Sequence, residues 1–232
     1  MLALSVAAAF NFHRAFGRGE IIMSKTILKG ATLLAPLPVV MVSAGDYDKA
    51  NIITVAWTGT ICSDPPRVYV SIRHDRYSYD LIKRSGEFVI NFTTERLLAA
   101  CDYCGIRSGR DMDKFAEMKL TKQTAAQVSA PIIAESPVNM ECKVFDVLNL
   151  GSHDMFLADV VAVHVDDDIM TDGKIDYRKA RLVNYQHGDY YATGRHLGRF
   201  GYAAQRKFIA KYGKGLEVDP TKVKTLTKRK PR

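Results

Sequence analysis

Residues 51–94 read NIITVAWTGTICSDPPRVYVSIRHDRYSYDLIKRSGEFVINFTT, and that run leaves few folds open to the chain. An apolar, β-branched segment ends at Trp57 and opens into a loop of small residues, Thr58, Gly59 and Thr60. Pro65 and Pro66 then interrupt the backbone, and residues 67–73 alternate. Val68, Val70 and Ile72 fall on one side of that strand, while Tyr69, Ser71 and Arg73 fall on the other. One side can enter a core. The other sets a hydroxyl and a guanidinium side by side at the strand's end. With N–H groups from a glycine loop, these are what a phosphate requires.

The rest of the chain is strand-rich. Residues 33–43 are an apolar run broken by Pro36 and Pro38. Residues 51–57, 68–73 and 88–92 read as strands, and 138–150 and 155–165 as two long ones joined by a hairpin link at Gly151, Ser152, His153 and Asp154. Helices are expected over 77–84, ended by Gly86, over 95–103 and over 111–118. No repeat of 20–50 residues is present. The absence of a G-x-G-x-x-G or Walker loop removes the main support for doubly wound nucleotide-binding folds. A β-rich chain with helices filling corners suits a Greek-key barrel.

Length and charge bound the function. A chain of 232 residues can bury a sizeable core as one domain, and no apolar run approaches the ~20 residues that span a bilayer. No membrane partner is expected. The net charge of +8 belongs to residues 203–232, where ten Lys/Arg face two acidic residues. Residues 222–232 hold one Leu and one Val and cannot bury enough surface to fold alone. The basic tail is read as a solvated terminus, and no nucleic-acid partner is expected, although a tail for nucleic acid or an acidic partner is the competing reading. Residues 1–10 are apolar but lack a positive lead and a tidy cleavage site. Residues 1–22 are therefore expected to be a non-native extension or misassigned start, with a degenerate signal peptide as the alternative. The domain itself is expected over 23–202. Four cysteines, Cys62, Cys101, Cys104 and Cys142, are too sparse for a disulfide scaffold and point to a reducing compartment, the cytoplasm.

The pattern of 58–94 resembles the flavin reductase-like family, whose fold is the FMN-binding split barrel. The likeness runs through the Thr-rich loop at 58–60, the Ser-x-Pro-Pro-like segment at 63–66, the strand ending in a polar pair at 68–73, the short helix at 77–84 and the Ser-Gly-Glu-Phe-Val-Ile-Asn strand at 85–91. Further on, CGIRSGRDMDKF at 104–115 is similar to the family's Gly-x-x-Ser-Gly-x-x-x-x-Lys-Phe segment. The resemblance covers roughly residues 24–200 and runs closest to the flavoredoxin branch. It implies a mainly β split barrel with short peripheral helices, FMN as cofactor and NAD(P)H as reductant. It also implies a homodimer with its two sites at the subunit interface. An electron carrier fed by a redox partner protein is the alternative, and a non-catalytic flavin- or nucleic-acid-binding protein a second one.

Candidate site residues follow, each with a plainer reading beside it. Trp57, Thr58, Gly59 and Thr60 can cradle a flavin ring edge and phosphate, or form an ordinary turn. Ser71 and Arg73 can hold the FMN phosphate, or Arg73 can pair with Asp75. Tyr77, Ser78 and Tyr79 sit where a helix begins, a position that favours anions; Ser78 is a phosphate ligand or a cap. The family segment places Ser108, Gly109 and Lys114 near the cofactor. Lys114 stabilises negative charge there, or is a solvated helix lysine. His153, in a turn similar to Gly-Asp-His turns of related reductases, is the candidate catalytic residue, or is structural. Tyr190 and Tyr191 stack on a flavin or pack. Cys101 and Cys104 read as core residues of an amphipathic helix rather than a metal pair, and no metal site is expected. Hydride transfer to a flavin needs no general acid or base from the protein, so the lack of a triad is no obstacle.

Overall fold

The computed structural model describes residues 26–204. The expectations for residues 1–22, and for the basic tail beyond 204, lie outside the described residues. The chain divides into two units, Met1–Ala192 and Thr193–Arg232, a division earlier than the expected 202. The described part of the second unit contains one short 3-10 turn, Tyr202–Ala204.

The first unit is built on a seven-stranded antiparallel sheet. Its strands are β2 (Val40–Ala44), β3 (Asn51–Val55), β4 (Thr58–Ser63), β5 (Pro66–Arg73), β6 (Glu87–Phe92), β9 (Val138–Asn149) and β10 (His153–Val165). Their order is β3-β2-β6-β9-β10-β5-β4. β1 (Leu37–Pro38) pairs with β13 (Val183–Gln186), which pairs with β14 (Asp189–Ala192), in a second, three-stranded sheet. Two-stranded pairs complete the set: β7 (Lys122–Gln123) with β8 (Ile132–Ile133), and β11 (Met170–Thr171) with β12 (Lys174–Ile175).

Connectivity forces the large sheet to curl. β3 and β4 are its two edges, yet only Ala56 and Trp57 join them. Two intervening residues, three Cα–Cα steps, span at most ~11 Å, so the edges must approach each other. The Ser71 N–H donates to the Trp57 carbonyl at 2.9 Å and fastens that corner. The result is a barrel split between β3 and β4. Its interior holds Val42, Ile53, Val68, Val70, Ile72, Phe88, Ile90 and Phe156. The alternation in residues 67–73 delivers Val68, Val70 and Ile72 to this core as the sequence implies. Burying Phe88 and Phe156 fully contributes ~1.5–3 kcal/mol each.

Helices close the corners. α1 (Tyr77–Ser85) ends where Gly86 takes the left-handed conformation, φ 67°, and returns its N–H to the Ile82 carbonyl, as a glycine C-cap does. α2 (Leu98–Ile106) packs Ala100, Cys101 and Cys104 against a second core with Met41, Ile52 and Phe115. The helix expected over 95–103 begins instead as a 3-10 turn, Glu95–Leu97, capped by the Thr94 hydroxyl. The helix expected over 111–118 shrinks to α3 (Lys114–Glu117), because Asp113 spends its carboxylate on the N–H groups of Phe115 and Ala116. Thr58, Gly59 and Thr60 are strand, paired with Val70, Tyr69 and Val68, and not the loop expected of small residues. Among the described residues no helix is long and apolar enough to cross a membrane.

Candidate functional site: two joined chambers beside the barrel split

Two cavities meet outside the split. The larger, about 370 Å³, is lined by Trp57 from the β3–β4 corner, Ser71 and Arg73 from β5, His153 from β10, and Asp102 and Tyr190. The smaller, about 130 Å³, is lined by Asn51, Tyr77, Ser78, Arg107, Ser108, Gly109, Arg110 and Lys114. Ile53, Arg76 and Gly105 line both, so the chambers adjoin.

The smaller chamber is rich in donors. Ser78, in the first turn of α1, is buried, and its hydroxyl accepts from Asn51 Nδ2 at 2.8 Å. The residue ahead of α1 is Arg76, with no side-chain cap, so Ser78 is not the cap. The segment 107–110 folds down against α1: Arg110 donates to the Asp75 carbonyl at 2.9 Å and lies over the Tyr77 ring. Gly109 faces Asn51 so closely that a Cβ there would sit 2.0 Å from the amide oxygen. Lys114 is only 3% exposed, which rules out the solvated reading. Its ammonium donates to the carbonyls of Ile52 (2.7 Å) and Cys104 (2.8 Å), and burial lowers its pKa to about 8. Arginines, hydroxyls and a helix N-terminus converge on one small volume, as an anion requires.

The larger chamber mixes apolar walls with a few polar groups. His153 stands directly across from Arg73 in the β5–β10 pairing. Burial and the Arg73 charge lower the His153 pKa, which favours the neutral ring. Arg73 pairs with Asp75 at 3.4 Å, and its side chain is half exposed. It lines the larger chamber, and Ser78, Arg76, Arg107 and Arg110 surround the smaller one. Behind His153, the buried Asp154 accepts from His74 (2.7 Å), Tyr79 (2.7 Å) and Asn149 (2.8 Å). Those hydrogen bonds lower its pKa and fix the start of β10. Tyr190 donates to Asp102 at 2.9 Å, and burial and that bond raise its pKa.

The sequence candidates thus fall into four groups. Trp57, Ser71, Arg73 and His153 share the larger chamber; Tyr77, Ser78, Ser108, Gly109 and Lys114 share the smaller one. Tyr79 lies in the core below, bound to Asp154. Thr58, Gly59 and Thr60 line neither chamber. They border a separate apolar cavity on the barrel side, with Val68, Phe92 and Met140. Asn51, Arg76, Arg107 and Arg110 escaped the sequence reading. The two outer arginines flank Ser108-Gly109, which is the signal that points to them. Cys101 and Cys104 are buried, and burial pushes the Cys104 thiol up to about 11 and the Cys142 thiol up to about 12. Of the four cysteines only Cys62 is not buried. A small thiol reagent is therefore expected to label Cys62 rapidly in the folded protein and the other three only on unfolding. Rapid labelling of two or more thiols, read by mass spectrometry, would contradict this packing.

Comparison with known proteins places this geometry. The flavoredoxin of Desulfovibrio vulgaris (Miyazaki F) superposes with a TM-score of 0.74 at 34% identity, over 79% of this chain and 100% of that one. The FMN-binding protein of Thermus thermophilus shares the fold, with a TM-score of 0.63 at 20% identity over 78% and 99%. The NADPH-flavin oxidoreductase of Streptomyces viridifaciens is 27% identical over 58% of this chain and 69% of that one. The flavin reductase like domain model matches residues 33–194. The chain belongs to the flavin reductase-like family, and within it resembles the flavoredoxins.

Proposed function

We propose that the protein is an FMN-binding oxidoreductase, with the flavin phosphate in the smaller chamber and the ring system in the larger. The carrying observation is the junction: a donor-lined pocket of about 130 Å³ opens through Arg76 and Gly105 into a wider one of about 370 Å³. That is the outline of a phosphorylated ring compound. Ser78, Ser108, Arg76, Arg107 and Arg110 are of the types that hold a phosphate, and the N-terminus of α1 adds its dipole. Trp57, Ser71 and Tyr190 border the ring, and neutral His153 closes its far end beside Arg73. FMN supplies the redox chemistry when bound. The chain orients it and keeps the phosphate end fixed.

The reductant is proposed to be NAD(P)H, a reading supported by the likeness to the Streptomyces oxidoreductase. The likeness to a flavoredoxin favours the second reading, an electron carrier fed by a protein donor. We also propose a homodimer. Phe145, Val147, Leu148 and Leu150, toward the turn end of the β9–β10 ribbon, are exposed, and exposed apolar residues gathered at one end of a ribbon mark an interaction surface. Absorbance of the purified protein tests the reading. A yellow protein bleached by NADPH or NADH is the expected result. Bleaching only by a reduced ferredoxin-like protein selects the carrier, and a protein that carries no flavin absorbance after incubation with FMN and desalting refutes both.

A further inference from the structure

The smaller chamber contains a cation with no counter-charge. Lys114 is almost wholly buried, and among the described residues no carboxylate comes within ion-pair distance of its ammonium. Its partners are two backbone carbonyls, those of Ile52 and Cys104. A buried ammonium held only by neutral dipoles is costly. Such a group either gives up its proton or waits for an anion.

The surroundings decide between these. From α2 the Cys104 thiol faces Lys114 and draws its pKa upward, but burial holds that thiol at about 11, so at neutral pH it is protonated and is no counter-ion. Ahead of α1, the Arg76 guanidinium opposes a second positive charge on Lys114. Arg107, Arg110, Asp75 and Tyr77 ring the same chamber, and Asp113 and Glu117 flank Lys114 on its own segment. Burial first, and Arg76 after it, bring the Lys114 pKa down to about 8.

We infer that Lys114 takes up a proton from solvent as the flavin phosphate enters, so that this site distinguishes FMN from riboflavin most strongly at neutral pH and progressively less in alkali. The inference rests on the FMN reading above. The phosphate dianion supplies the charge that the chamber lacks, the amine becomes a paired ammonium, and its pKa rises in the complex. The sign follows: a ligand that raises a pKa binds with full strength below the free value and loses affinity as pH climbs through it. The proton balance is one H⁺ from solvent for each neutral amine that meets a phosphate, and no bond other than N–H forms.

The test titrates FMN and riboflavin into the full-length chain stripped of flavin, at pH 7.0 to 9.5, by fluorescence quenching. With a free value of about 8, the FMN Kd should rise roughly thirtyfold across that range while the riboflavin Kd stays flat. Calorimetry of FMN binding in two buffers of different ionisation enthalpy should show an uptake of about half a proton at pH 8 and almost none at pH 7. Lys114→Met should bind FMN weakly with no pH dependence. Should that variant fail to fold, the proton count on the parent chain decides alone. FMN binding that is flat with pH and takes up no proton overturns this inference and leaves the FMN reading standing. No FMN binding at any pH overturns that reading, and this inference with it.

Discussion

Gly109→Val is expected to lower FMN affinity by a hundredfold or more while leaving the barrel folded. The first added carbon would stand 2.0 Å from Asn51 Oδ1, 2.5 Å from its Cγ and 2.9 Å from Tyr77 Cδ1, all well inside van der Waals contact. Neither neighbour can give way freely. Asn51 sits in β3 and holds Ser78 through Nδ2 at 2.8 Å, and Tyr77 opens α1. The segment 107–110 must therefore lift off, carrying Arg107, Ser108 and Arg110 away from the smaller chamber. Losing two charge-assisted hydrogen bonds removes on the order of 3 kcal/mol or more, which is a hundredfold or more in Kd. Riboflavin lacks the phosphate and should lose about threefold or less. The segment lies outside both hydrophobic cores, so the melting temperature should move by only a few degrees. An FMN Kd within threefold of the parent would mean that this loop does not close the phosphate end.

The reach of sequence reasoning follows from the range of the interactions involved. β5 was legible because its period-two alternation is written in residues 67–73 themselves, and α1 because Gly86 follows it. β4 was not: Thr58, Gly59 and Thr60 read as a loop by their small size, and only the register Thr58↔Val70 and Gly59↔Tyr69 makes them strand. That pairing makes Thr58, Gly59 and Thr60 part of the barrel wall, where they line neither chamber. The polar face of β5 is written in the same alternation, and Arg73 lines the larger chamber. The smaller one gathers Arg76 with Arg107 and Arg110, thirty or so residues apart, which no local pattern displays. The burial of Lys114 depends on carbonyls of Ile52 and Cys104, contacts between three elements that periodicity cannot foresee. Asp113 illustrates the smaller errors: a capping carboxylate moved the start of α3 by three residues.

Glu141→Ala is expected to cost the fold about 3–5 kcal/mol, the scale for removing one partner of a buried charged network. Glu141 is wholly buried in the first half of β9. One carboxylate oxygen accepts the Ala126 N–H at 2.7 Å and also meets His164 of β10; the other accepts the N–H groups of Gln127 (2.6 Å) and Val128 (3.1 Å). Residues 126–128 have no strand to bond to, so this carboxylate stands in for a neighbouring strand. Glu87 repeats the device next door, taking Ser129 N–H and hydroxyl. Together they press Val128 and Ala130 onto Val89. Alanine would leave the buried Val128 N–H and the N–H groups of Ala126 and Gln127 without this acceptor, and a void beside His164. At ~2–4 °C per kcal/mol for a domain of this size, the melting temperature should fall by roughly 6–20 °C. Burial alone would raise the Glu141 pKa, but the Ala126 N–H, His164 and the Gln127 N–H outweigh it, and the folded-state value lies below 4.5. The stability it adds is therefore fully present above pH 4.5 and is lost as the pH falls through the lower folded value. The parent chain should lose part of its advantage over Glu141→Ala in acid, with the two melting curves drawing together as the pH falls below 4.5. Both chambers lie away from this strap, so FMN affinity of the folded variant at pH 7 should match the parent within about threefold. A variant that melts with the parent at pH 7 would show that residues 126–128 are held by something other than the Glu141 carboxylate.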